Sequence, residues 1–146
     1  MEFAATAWAP WTVGDIDLLE RVQKRAVSLI SGLNGRTYED KLQELGLSSL
    51  AERRIKYDLV QTYKILNGID RVDQAIWFKQ VGVTAHIRTR NTSCEGNLLS
   101  TISRTDIRKN FFSSRVVPVW NALPTELKET RSLNSLKKQL DDINLN

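Results

Sequence analysis

Three helical patterns separated by glycine lie between Asp15 and Gly68, and no other feature limits the fold so tightly. From Asp15 to Ser31, the residues Ile16, Leu19, Val22, Ala26, Leu29 and Ile30 recur at helical spacing and make one apolar stripe. Asp15 is the expected N-cap and Gly32 the expected stop. A short helix is expected over Tyr38 to Leu45, opened by Thr37 with Asp40 three residues on and closed by Gly46. Ser49 and Glu52 form an S-x-x-E box that opens a longer helix to Asn67, ended by Gly68. Its expected buried face is Leu50, Ile55, Leu59, Val60, Tyr63 and Leu66. Short turns between amphipathic helices predict a mostly α, irregular helical bundle.

After this the pattern weakens. An amphipathic piece over Val72 to Gln80 carries Ile76, Trp77 and Phe78, and residues 81–105 read as a long basic loop with a brief extended piece at Asn97 to Ile102. Helical spacing returns at Asp106 with Ile107, Phe111, Val116 and Trp120. Pro118 should bend or end that helix, because it has no N–H for the carbonyl four residues back. Leu123-Pro124 makes a stop, and a last helix over Ser132 to Ile143 turns Leu133, Leu136, Leu140 and Ile143 inward. The expectation is five to six helices in a single domain over 1–146. Residues 1–14 form a shortened N-terminal helix and linker, 15–80 the bundle, 81–105 the loop and 106–146 the C-terminal helices.

The chain has 146 residues, enough for one domain with a real core, and its 41% hydrophobic and 26% charged residues are those of a folded protein. A single cysteine, Cys94, excludes an internal disulfide framework and fits a reducing compartment. No apolar run approaches the ~20 residues that cross a bilayer. "MEFAATAWAPW" has neither the basic start nor the apolar run of a secretion signal. The expected location is intracellular, nuclear or cytoplasmic, and not secreted.

Enzyme chemistry finds few residues to work with. Asp141-Asp142 has the look of a two-metal pair. Yet it follows Lys137 and Lys138 in a helical pattern, where i,i+4 charge pairing accounts for it. His86 and Cys94 are the only histidine and cysteine, too few for a tetrahedral zinc site. No phosphate-cradling glycine motif is present. No catalytic residue, cofactor or metal is expected.

Charge points elsewhere. Between Gly82 and Leu123 the cations are Arg88, Arg90, Arg104, Arg108, Lys109 and Arg115 against Glu95 and Asp106, which accounts for the whole net charge of +4. A localised basic region suits a polyanion. Arg88, Arg90, Arg104, Arg108 and Lys109 can each neutralise a phosphate. Trp77, Trp120, Phe111 and Phe112 have faces on which bases stack, but aromatic residues at helical spacing are usually core. In "RKNFFSSRVVPVWNALP" the expected core stripe is Phe111, Val116 and Trp120, bordered by Arg108, Lys109 and Arg115.

The stretch "DIDLLERVQKRAVSLISGLNGRTYEDKLQELGLSSLAERRIKYDLVQTYKILNG" resembles the region after the catalytic domain in reverse transcriptases of non-LTR (LINE-like) retrotransposons, of the chicken-repeat-1 and jockey type. The resemblance continues through "RKNFFSSRVVPVWNALP" and "SLNSLKKQLD", and "MEFAATAWAPW" is similar to the family's L-E-Y-x-x-x-V-W-x-P segment. It covers nearly the whole chain and is weakest from Val81 to Ser103. It implies the thumb and C-terminal extension of a polymerase whose catalytic aspartates lie upstream, so this region is expected to be non-catalytic. It also implies contact with RNA or an RNA–DNA template–primer duplex, mostly through the backbone. The matching basic positions are Arg21, Lys24 and Arg25, then Arg53 and Arg54, then Arg108, Lys109 and Arg115. Two departures stand out. Met1 falls inside what the family has as a longer helix, so an upstream half is expected to be missing. Pro118 stands where the family more often has a polar, helix-compatible residue.

The competing expectation is a helical protein–protein module that self-associates through Trp8 and Trp11, whose apolar surface a shortened helix leaves uncovered. A decayed copy without present function is the third.

Overall fold

The computed structural model describes residues 4–80 and 96–143. These are mostly helical, with nine helices: α1 (Ala5–Trp8), α2 (Val13–Ser28), α3 (Tyr38–Glu44), α4 (Leu50–Leu66), α5 (Gln74–Trp77), α6 (Asp106–Lys109), α7 (Phe112–Ala122), α8 (Thr125–Lys128) and α9 (Leu133–Asp142). α1 falls in the expected shortened N-terminal helix and α5 in the amphipathic piece over Val72 to Gln80. What goes beyond the expectation is the division of the Asp106 helix into α6 and α7, and α8, four residues long. A single turn is too short to carry a readable period. The described residues divide into two compact units at Ile55 and Lys56, within α4. No described helix is long and apolar enough to cross a membrane.

Helix ends follow local chemistry closely. α2 starts two residues before the expected Asp15, because Thr12 is the N-cap; its hydroxyl accepts from the Asp15 N–H at 3.2 Å and donates to Asp15 Oδ2 at 2.6 Å. Thr37 and Asp40 repeat the arrangement at α3. Ser49 and Glu52 form the reciprocal box, each side chain accepting from the other's backbone N–H at 3.2 Å. Gly46 (φ 62) and Gly68 (φ 64) close α3 and α4 in left-handed conformation. The next amides, of Leu47 and Ile69, reach back to the carbonyls of Leu42 and Lys64 at 2.8 and 2.9 Å.

In the first unit Ala5, Val27, Leu33, Leu42 and Leu50 are buried. α2 turns Gln23 and Val27 inward, neither of them in the expected stripe, of which Val22, Ala26, Leu29 and Ile30 are exposed and Ile16 and Leu19 half-buried; the inward face is rotated from the expected one. A polar network ties α2 to the start of α4. Glu20 accepts from the Leu50 N–H at 3.0 Å and from the Tyr38 hydroxyl. Gln23 donates to Tyr38 Oη and to the Ser48 carbonyl, both at 3.1 Å. Burial, followed by the hydrogen bond to Glu20, pushes the Tyr38 hydroxyl up to about 12.

In the second unit the core is Leu59, Tyr63, Ile65, Phe78, Leu98, Phe112, Val116, Val117, Trp120, Leu123, Leu127, Leu136 and Leu140. The buried face of α4 also takes in Asp58 and Thr62, while Val60 and Leu66 sit half-buried beside it. Of the four residues expected inward on α9, Leu136 and Leu140 are buried and Leu133 and Ile143 half-buried. The extended piece after Gly96 makes one antiparallel bridge, Gln80 to Leu98, and Leu99 donates to the Lys79 carbonyl at 2.7 Å. Asn121 holds its other side: Oδ1 accepts from the Leu98 N–H and Nδ2 donates to the Leu98 carbonyl, both at 2.9 Å. Trp120 Nε1 donates to the Gly96 carbonyl at 3.0 Å.

The helix expected from Asp106 is two helices broken at Asn110 and Phe111. Asn110 caps the first by donating from its side chain to the Asp106 carbonyl at 2.8 Å. Phe111 is the extended N-cap of α7. The break moves the aromatic that enters the core by one residue, to Phe112. α7 continues through Pro118 to Ala122, and Pro118 faces solvent.

Candidate nucleic-acid interface

The cations singled out in the sequence are placed very differently from one another. In the first unit Arg21, Lys24 and Arg25 are exposed on α2, with Lys24 Nζ 5.5 Å from the centre of the Tyr38 ring. Arg53 donates to Gln23 Oε1 and so joins the polar network. Arg54 is buried, and its guanidinium lies 5.5 Å from the Trp8 ring centre. Arg53 and Arg54 therefore serve the packing of α4 against its own unit.

In the second unit Arg115 turns inward as well. Its Nε donates to Asp58 Oδ2 at 2.8 Å, its Nη2 to Asp58 Oδ1 at 3.0 Å, and its Nη1 to the Asn110 carbonyl at 3.0 Å. The same guanidinium lies 5.9 Å from the Phe112 ring centre. Burial raises the Asp58 carboxyl above its ordinary range, and Arg115 works against that rise. Asp58 and Arg115 come from α4 and α7, so this fork fastens the α6–α7 corner.

At that corner Arg104, Arg108 and Lys109 are all exposed. Thr105 N-caps α6, and the helix is too short to turn either basic side chain away from solvent. Phe111 is 46% exposed and stacks on Trp77, with ring centres 6.2 Å apart and planes 6° from parallel. Trp77 meets Phe112 edge-on at 5.9 Å, and Phe112 meets Phe78 at 5.8 Å. The buried end of this ladder is rigid core, and the outer end is Phe111. The Arg108 guanidinium lies 6.0 Å from the Phe111 ring centre. Ile107 beside it is 73% exposed. Arg108 beside a half-exposed ring, with Arg104 and Lys109 exposed close by in sequence, gives phosphates and flat bases groups that can hold them.

Arg88 and Arg90, with His86 and Cys94, lie outside the described residues. Among the described residues no group of three histidines, cysteines or acids is placed to hold a metal ion. Asp141 pairs with Lys56 of α4 at 2.9 Å, a contact between helices that local i,i+4 spacing does not foretell. Lys128 belongs to no motif of the sequence, yet its Nζ donates to Asn97 Oδ1 at 2.7 Å and to the Asn121 carbonyl at 3.0 Å, pinning the chain just before the bridge. Nothing in the spacing around Lys128 signals this. Comparison with protein-family models, with curated proteins and with solved structures finds no match.

Proposed function

We propose that this chain binds RNA or an RNA–DNA duplex without catalysing a reaction, as a thumb-like region of the retrotransposon reverse-transcriptase type that its sequence resembles. The observation that carries the reading is the exposed Arg108 guanidinium beside the outer ring of the Phe111–Trp77 stack, with Arg104 and Lys109 exposed in the same stretch of chain. The cations neutralise phosphates and Phe111 offers a face to a base. Binding of this kind is electrostatic, tolerant of sequence and steeply weakened by salt. Nuclear and cytoplasmic compartments are where such polyanions are met. Arg21 and Arg25 on α2 add exposed positive charge in the first unit.

Fluorescence anisotropy with labelled RNA and with an RNA–DNA hybrid tests the reading across a salt series. The expected result is a dissociation constant of roughly 10⁻⁴ to 10⁻⁶ M at physiological salt, falling in affinity log-linearly as salt rises. Binding that is absent on both ligands, or indifferent to salt, overturns it.

A further inference from the structure

α2 carries a second apolar line on the face opposite Gln23 and Val27. Leu18 is 57% exposed, Val22 52% and Leu29 79%. The steps from Leu18 to Val22, Arg25 and Leu29 are four, three and four residues, which is the spacing of a helix–helix seam. Extended toward the N-terminus by three residues, the same line meets Asp15, exposed in the first turn. Trp11, also 52% exposed, lies a further four residues back, just before the Thr12 cap.

This line reads the same way in both directions. Laid antiparallel on a copy of itself about a two-fold axis near position 20, it sets Leu18 against Val22, Asp15 against Arg25, and Leu29 toward Trp11. Apolar positions meet apolar positions, and each acid meets a base. A parallel pairing would put Asp15 on Asp15 and Arg25 on Arg25, which is repulsive at both ends. The line thus specifies both the occupant and its direction. An isologous contact repeats every favourable pair twice.

We infer that α2 pairs antiparallel with α2 of a second copy of this chain through the seam Asp15, Leu18, Val22, Arg25 and Leu29. A helix of 16 residues is about 24 Å long, so the contact is a small one and the dimer is reversible. Trp8 takes no part in the seam, since it packs against Arg54. The α6–α7 corner contributes none of these residues, so the pairing is separable from nucleic-acid binding at that corner; Arg25 alone is shared with the exposed charge of α2.

Sedimentation equilibrium of the full chain at moderate salt tests it. The expected result is a monomer–dimer equilibrium in the micromolar to millimolar range. Arg25→Asp and Asp15→Arg each create two like-charge contacts and should each weaken it about tenfold. Mixing the two variants should restore association, because each then supplies the charge the other lacks, and the double variant should dimerise by itself. Val22→Lys, outside the helix cap, should leave a monomer with unchanged far-UV circular dichroism. A wild-type chain that stays monomeric over the range overturns the inference. So does a dimer that ignores both charge reversals, or a mixture of the two variants that fails to associate.

Discussion

Arg115 of α7 and Asp58 of α4 face each other as a two-pronged fork, 2.8 and 3.0 Å at the two contacts, with most of both side chains withdrawn from water. A charge in this position is costly to leave alone. Arg115→Ala should therefore destabilise the second unit by about 3 kcal/mol or more, read from the midpoint of denaturant unfolding. Replacing both partners, as Asp58→Leu with Arg115→Met, should recover much of that loss, because two apolar side chains leave no buried charge behind.

The same carboxyl sets a pH dependence of definite sign. The Asp58 pKa is raised above its ordinary 3.8 in the folded chain, chiefly by burial. From 3.8 up to that raised value the folded chain holds a proton that the unfolded chain has released. Its contribution to stability is thus full at lower pH and is lost as pH rises through the raised value. Asp58→Asn should flatten the acid-side profile of unfolding midpoints. An unaltered profile would place the titration elsewhere.

Tyr38 governs the alkaline side. Burial and the Glu20 hydrogen bond push its hydroxyl from the ordinary 10.0 up to about 12 in the folded chain, so the unfolded chain loses its proton first. Stability contributed by this group is present below pH 10 and is lost as pH rises toward about 12. Tyr38→Phe should lose that slope. At neutral pH it should also cost about 1 kcal/mol, through the hydrogen bonds with Glu20 and Gln23. Denaturant midpoints measured at successive pH values check both effects.

Pro118 sits inside α7 and is exposed, so it withholds an N–H from the helix and lies outside the buried core. Pro118→Ala should raise stability by about 1 to 3 kcal/mol, seen as a higher thermal midpoint. A lower midpoint would show that the ring packs in a way its exposure conceals.

At the α6–α7 corner the cations and the ring should separate experimentally. Neutralising Arg108 and Lys109 to Gln should weaken binding on any sequence and lower the salt slope by roughly 0.7 to 0.9 per cation. Phe111→Ala should cost about 1 to 3 kcal/mol on single-stranded RNA and much less on the hybrid, whose bases are already stacked. Arg36, paired on the surface with Glu44, is the control whose change to Gln leaves anisotropy curves as they were.

What the chain announces about itself is mostly local. Thr37, Ser49, Gly46 and Gly68 mark helix ends because a cap needs only neighbours three to five residues away, and all four act as read. The outward line on α2 is harder to read. Leu18, Val22 and Leu29 are as apolar as core residues, and only packing of the opposite face shows that they look outward. Phe111 and Phe112 differ by one residue, and the Asn110 cap that decides between them has no periodic signal. The inward turn of Arg115 depends on Asp58, 57 residues away in sequence. Contacts at that separation leave no trace in spacing.

Asn121 has a further consequence. One face of Leu98 is bridged to Gln80, and both main-chain groups on the other face are taken by a single side-chain amide. An extended segment that ends in open main-chain groups invites another chain to add itself as the next strand. Here the invitation is already filled, by a residue anchored in a helix that cannot itself be extended sideways. Loss of that amide would convert a sealed margin into a template for aggregation.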